Sequence, residues 1–303
     1  MSNKITKRQH YVWRNYLRAW SENDSIFAFV RQKNTIIRTD LMNVAQKRYF
    51  NKFDKFGKVE KDFLDHIASK IQGPIKPMID NLIFDINLFN DFKEIQEKST
   101  KDIPEVLNEL EKNGFEKFHT SIENYGSKLI ACRELRDLYF FDDDISKYDA
   151  LMYLCFQYFR TKKHKDSQIE NFKNTKLDIE KIHNVLVIII AAQLTQNISF
   201  DPKIQYCLLE IITDEISFIT SDQPVINLLA DELDENGNVK DLMLYYPISP
   251  KHAIRLEFNN SEDNKYQYYE MTVSAVEELN SKMVAKSHEF LISDSREQLK
   301  CYI

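Results

Sequence analysis

Three side chains in this 303-residue sequence have the chemistry to act on an anion: His10, Arg160 and Asp222. His10 stands beside Tyr11 and near Arg14, at the start of an apolar-patterned segment. An imidazole there can take or give a proton near neutral pH, or it can simply hydrogen-bond a neighbouring loop. Arg160 closes a strongly apolar stretch containing Leu151, Leu154, Cys155 and Phe159. A guanidinium in that position can clamp a phosphate or carboxylate bidentately, or it can bridge internally to Asp222. Asp222 lies in Thr220-Ser221-Asp222-Gln223-Pro224, directly after an expected strand. Loops at strand ends commonly carry catalytic carboxylates. Ser-Asp-x-Pro is also favourable turn chemistry, with Asp bonding its own backbone and Pro fixing φ.

Other groupings are less specific. Arg160 and His164 resemble the Arg-x(4–6)-His pair of helical ribonucleases of the HEPN class, but only three residues separate them. Positions i and i+4 of a helix still share a face. A Ser/His/Asp set can be drawn from Ser221 or Ser249, His252 and Asp222, with no spacing that selects it over chance. Asp142-Asp143-Asp144 suits a divalent metal, and suits better a helix start, where Asp caps free N–H groups at the positive end of the dipole. Glu60, Asp62 and Asp65, near His66, read as a solvated acidic face.

Composition removes many enzyme classes. The chain has only five glycines, and no two have the spacing of a phosphate-wrapping loop. The P-loop, the dinucleotide fingerprint, the kinase glycine loop and the GxSxG elbow are therefore absent as motifs. No nucleotide-cofactor motif is present, so the cofactor is left unknown. The four cysteines are far apart and no Cys/His cluster suggests zinc, so no metal site is expected. They read as buried thiols of a cytoplasmic protein. The N-terminal MSNKITKRQHY has no apolar core of a secretory signal. The longest apolar run, Val185 to Ala192, is eight residues against the roughly 20 of a membrane span, and reads as a buried helix.

The net charge of −6 conceals an asymmetry. Residues 1–60 hold 13 Lys/Arg against 5 Asp/Glu and carry ten aromatics, including both tryptophans, whereas the remainder is net −14. A basic, aromatic segment can bind a nucleic-acid strand by charge and stacking. Alternatively, the two oppositely charged parts dock on each other.

The elements that must position these residues follow from spacing. Residues 6–20 are expected as an amphipathic helix, followed by a hairpin of Ser25–Val30 and Thr35–Thr39. Helices are expected at Val59–Ile71, broken by Gly73-Pro74, then for a turn or two to Phe84, and at 103–113, 115–138, 146–164 and 178–196. The third of these middle helices carries Arg160 and the following lysines at its C-terminus. Beyond Phe200 the period becomes two. Strands are expected at Ile204–Ile212, Ile216–Thr220, Val225–Leu228, Leu242–Tyr246, Ala253–Phe258 and Tyr266–Met271, with a turn at Asn259–Asn264. A helix over Val273–Ser287 and closing strands at Glu289–Ile292 and Leu299–Ile303 complete the chain. The expected class is α+β: one domain over 1–303, its helical half packed on a mostly antiparallel C-terminal sheet.

Four segments in order resemble an uncharacterised prokaryotic family, domain of unknown function family 4238. Gln9–Trp20 (QHYVWRNYLRAW) resembles its HYVP-x-x-YLR-x-F opening, and Phe156–Thr161 (FQYFRT) its arginine-bearing helix. Phe218–Val225 (FITSDQPV) resembles its TSDNPV segment and Tyr245–Pro250 (YYPISP) its PLSP segment; the late helix with Asn280 is similar to its asparagine-bearing C-terminal helix. Trp13, Trp20 and Gln223 stand where that pattern has proline, phenylalanine and asparagine. The loss of the proline is expected to let the first helix begin earlier. The resemblance implies a prokaryotic cytoplasmic protein and supplies no activity. Tyr11, Arg14, Gln157, Ser221 and Asn280 are further candidate substrate contacts. Two expectations follow. In one, His10, Arg160 and Asp222 converge in a cleft to hydrolyse a phosphodiester, as a nuclease or nucleotide hydrolase, with host defence as a setting. In the other, the protein is a non-catalytic binding or sensor module whose signature residues are structural.

Overall fold

The computed structural model describes residues 8–98, 118–237, 239–258 and 265–303. Its class is α+β. The chain opens with a short strand, β1 (Arg8–His10), which pairs antiparallel with β4 (Gln46–Arg48). Helix α1 (Arg14–Leu17) and a 3₁₀ turn (Arg18–Trp20) follow. The single helix expected over 6–20 is therefore limited to its second half. Gln9 explains the boundary: its side chain is buried and accepts from the Asn51 N–H at 2.7 Å, which fixes the extended entry. Trp13 caps α1 at φ −58°, the angle a proline would impose. Replacing the proline thus leaves the helix start where the proline would have put it, contrary to the expected earlier start.

Strands β2 (Ser25–Val30) and β3 (Thr35–Asp40) form the expected hairpin. It does not stand alone. It belongs to a four-stranded sheet in the order β3-β2-β11-β6, with β6 at Thr220–Ser221 and β11 at Phe290–Ser293. The second sheet runs β10-β5-β9-β8-β7: β5 (Ile204–Glu210), β7 (Ile226–Asn227), β8 (Leu244–Pro247), β9 (His252–Phe258) and β10 (Tyr266–Glu270). Its pairs are antiparallel except β10 with β5.

The helical part holds α2 (Lys58–Lys70), α3 (Lys76–Glu97), α4 (118–125), α5 (Ser127–Ala131), a 3₁₀ segment (Leu135–Asp142), α6 (Asp144–Phe159), α7 (Lys162–Phe172) and α8 (Ile179–Phe200). Helix α3 runs far beyond the turn or two expected. The expected helix 103–113, the start of 115–138 and the turn Asn259–Asn264 lie outside the described residues. The expected helix 146–164 is two helices, because the chain turns at Arg160 and Thr161. Asp143 caps α6 by accepting from the Ser146 N–H at 2.8 Å, as a helix start requires. Glu60 is not solvated as expected: it is buried and accepts from the N–H groups of Gly57 and Asp178.

Helix α8 is long and apolar enough to cross a membrane by length and composition, and 67% of that window is buried in this fold. It packs on α6 in a core that continues into Tyr206, Leu208 and Tyr246 of the larger sheet. A second core joins both sheets to α9 (Val273–Lys286) through Phe29, Phe218, Val276, Met283 and Leu291. Several of the large aromatics in these interiors find partners for their polar tips. Trp20 donates to the Phe218 carbonyl at 2.9 Å, Tyr16 meets Thr220 Oγ1 at 2.6 Å, and Tyr153 meets Tyr246 at 2.7 Å. Gly126 makes the close approach of Tyr153 feasible, since a Cβ there would lie 2.6 Å from its ring. The expected final strand is instead α10 (Arg296–Lys300), started by Ser295 accepting from the Gln298 N–H.

Candidate functional site

Arg160 sits at the C-terminal cap of α6, 2% exposed. Its Nε donates to the Tyr11 carbonyl at 3.1 Å, and its Nη2 to the His10 carbonyl at 2.8 Å and to Glu123 Oε1 at 2.7 Å. Gln157, one turn earlier, donates to the same Tyr11 carbonyl at 3.0 Å. The arginine therefore pairs with Glu123 and not with Asp222, and two of its three hydrogen bonds hold the chain's own backbone. Together Arg160 and Gln157 fasten the bend where β1 leaves its sheet, and that bend aims His10.

The His10 side chain enters a pocket of about 240 Å³ lined also by Trp13, Arg14, Arg18, His119 and Glu123. Both ring nitrogens are buried, and the contact they make is with the Val44 backbone. Burial, then the charge of Arg14, bring the imidazole down to about 4; the Val44 backbone hydrogen bond opposes them and Arg160 adds a smaller lowering. His10 is therefore neutral near pH 7. His119 is fully buried and is held well below its ordinary value by burial, then by Arg160 and His183. Trp13 packs edge-on against Tyr153 at 5.6 Å between centroids.

The surface around the pocket is cationic. Arg8 and His10 are two apart on β1 and so share a face; Arg8 lies directly opposite Arg48 on β4. Like charges opposite one another weaken a strand pair. Arg8, Arg14, Arg18, Lys47 and Arg48 are all exposed. Arg18, Arg38 and Lys52 pair with Asp24, Glu22 and Asp54, all inside the first 60 residues. These ion pairs do not draw on the acidic remainder of the chain.

Asp222 occupies a different place. It is 1% exposed, and its carboxylate accepts from the N–H groups of His288 at 2.9 Å and Glu289 at 2.6 Å. Burial raises its pKa while those backbone donors lower it. Ser221 Oγ accepts from the Gln223 N–H, and both Asn280 amide groups hold the 217–219 backbone. Tyr11 joins the two regions: its hydroxyl donates to Glu289 Oε2 at 2.9 Å. The expected trio is thus arranged in series, from Arg160 through Tyr11 and Glu289 to Asp222. No hydrogen bond or ion pair joins Asp222 to His10 or Arg160 among the described residues.

A family model described as protein of unknown function (DUF4238) matches residues 8–297. The chain belongs to this family. The match begins at the first residue of β1 and ends within α10, so it takes in every element named above except the end of α10. No curated protein and no solved structure matches the chain. Tyr11, Gln157, Arg160, Ser221, Asp222 and Asn280 all make internal hydrogen bonds.

Two other sequence groupings resolve differently. Arg160 caps α6, whereas His164 lies in α7 with its ring against Tyr158 and Phe159. The shared helical face is lost, and the lysines expected at a helix C-terminus start a new helix. Ser249 and His252 do meet, Oγ to Nδ1 at 3.2 Å, but the nearby carboxylate is Glu210 at 3.7 Å and not Asp222. Ser249 Oγ also accepts from the Lys251 and His252 N–H groups, which ties it into a turn. Among the described residues, no group of three or more His, Cys, Asp or Glu gathers to hold a metal. Glu123 and Glu289 were not singled out by sequence, since their partners are 37 and 278 residues away.

Two outcomes are expected. Removing one member of a buried ion pair costs about 3–5 kcal/mol, and each kcal/mol moves a chain of this size by about 2–4 °C. Arg160→Met should therefore lower the melting temperature by roughly 6 °C or more; an unchanged melt would refute the anchoring role. Five histidines have depressed values: His10 and His164 near 4, His183 near 3, and His119 and His252 in the same direction. Below about pH 6.5 the unfolded chain binds protons that the fold refuses, so stability should fall as pH drops from 6.5 to 4. His10→Gln should flatten that fall, as read by melts across the range.

Proposed function

We propose that this protein is a binding module for a phosphodiester strand, held on the cationic face around the His10 pocket. One observation carries the reading. Arg14, Arg18 and a neutral His10 line one pocket with Trp13, beside the opposed Arg8 and Arg48. An anionic backbone relieves the repulsion of those arginines, and Trp13 offers a ring on which a base can stack. Arg160 serves the site indirectly, by fixing the bend that aims His10.

Strand cleavage is a second reading, a phosphodiester hydrolase with host defence as its setting. It is favoured by the neutral imidazole of His10 at the pocket, one of whose ring nitrogens carries no proton and can accept one. It lacks an orienting carboxylate from Asp222, whose oxygens hold backbone N–H groups. Binding accounts for more of the geometry.

The test is fluorescence anisotropy with labelled single-stranded DNA and RNA oligonucleotides. Binding is expected, with about a 50-fold loss between 50 and 200 mM salt if about four phosphates are contacted. Arg14→Glu with Arg18→Glu should weaken it at least tenfold at an unchanged melting temperature. No binding, or equal binding by that variant, would overturn the proposal. Cleavage by the wild type that disappears in His10→Ala, assayed with and without Mg²⁺ or Mn²⁺, would establish the second reading instead.

A further inference from the structure

A second pocket, of about 290 Å³, shares no residue with the His10 pocket. It opens where α8 ends and β5 begins. Asp201 accepts from the Lys203 N–H at 2.9 Å, and this short turn reverses the chain between the two elements. The turn sets Ser199 and Phe200 on one wall and Tyr206 on another, with Lys147, Lys203 and Lys265 around the opening.

Three features of these walls suit one kind of ligand. The hydroxyls of Ser199 and Tyr206 are both buried and have no hydrogen-bond partner. Buried polar groups are normally paired, so an unpaired hydroxyl at a cavity marks a place for a polar guest. The Tyr206 ring is fixed by stacking on Phe141 at 3.8 Å between centroids, which keeps its hydroxyl in position. Three lysines and the Asp201 carboxylate line the pocket. Lys147 and Lys265 are paired with Asp144 and Asp142, at 2.8 and 2.5 Å; Lys265 also donates to the Phe141 carbonyl at 3.3 Å, which leaves its ammonium one further donor. Lys203 is the lysine whose charge no ion pair takes up among the described residues. Finally, Phe200 is 70% exposed although it lines the pocket. An aromatic face left open beside cations is a stacking surface for a planar ring.

We propose that this pocket binds a nucleoside monophosphate, its phosphate against Lys203 and Lys265, its base on Phe200 and its sugar near the Ser199 and Tyr206 hydroxyls. The volume lies at the small end of ligand pockets, which fits one nucleotide and not a strand. The assignment is independent of strand binding at the His10 face.

Isothermal titration of the full chain with AMP, and separately with inorganic phosphate, tests it. Saturable AMP binding is expected, with phosphate alone binding at least tenfold more weakly. Lys203→Glu with Lys265→Glu should weaken AMP at least tenfold. Phe200→Ala should weaken AMP and leave phosphate unchanged, and Arg14→Glu with Arg18→Glu should change neither. These positions are exposed or partly so, and the melting temperature of each variant verifies its fold; Lys203→Gln supplies a milder version. No AMP binding, AMP binding equal in the lysine variants, or loss only in the Arg14/Arg18 variant would overturn the assignment. Equal affinity for AMP and phosphate, with no effect of Phe200→Ala, would also overturn the nucleoside part.

Discussion

The hold of Arg160 on the carbonyls of His10 and Tyr11 is the contact on which the arrangement of this molecule turns. A buried guanidinium must satisfy several donors or carry a large desolvation cost. Here Nε and Nη2 are satisfied by two backbone oxygens and Glu123, while Nη1 is buried without a hydrogen bond. Because two of its acceptors belong to consecutive residues of another segment, the arginine fixes a backbone bend as well as neutralising a carboxylate. The bend sends Tyr11 inward, where its hydroxyl reaches Glu289, and leaves His10 at the pocket. Asp222 then pins the N–H groups of His288 and Glu289, at the entry to β11. One chain of polar contacts thus joins the helical part, the N-terminal segment and the smaller sheet.

Signature residues that look catalytic in sequence can be those that hold distant segments together. Arginine, aspartate and asparagine are well suited to this because each can satisfy several backbone groups at once in a buried setting. Asn280 does so for the 217–219 backbone and Asp222 for the start of β11. The exposed Arg14 and Arg18, by contrast, make few internal contacts and remain available to a ligand.

The sequence showed much of the fold through local rules. The β2–β3 hairpin, strands β5, β9 and β10, helix α9 and the Asp143 cap follow from alternation, periodicity and capping, and the ordered family segments run through nearly all of it. What it did not show depends on distant partners. Strand β1 is three residues long and exists through pairing with β4 nearly forty residues on, so its apolar neighbours read as one helix. The break after Arg160 has no proline or glycine to announce it. At the site, His10, Trp13, Arg14 and Arg18 were legible as a basic, aromatic segment. Glu123 and Glu289 were not, because nothing local marks a carboxylate whose partner is remote in sequence. The turn role of Ser221 and Asp222 was legible as one of two readings.

The central claim is that Tyr11 and Asp222 act as one connected structural unit through Glu289. A double-mutant cycle of Tyr11→Phe and Asp222→Asn, followed by urea unfolding, measures it most directly. Tyr11 binds the Glu289 carboxylate and Asp222 its N–H, so the two losses should be non-additive, with a coupling of about 0.5–3 kcal/mol. Losses that add to within about 0.5 kcal/mol would mean that the two contacts stand independently, and would contradict the claim.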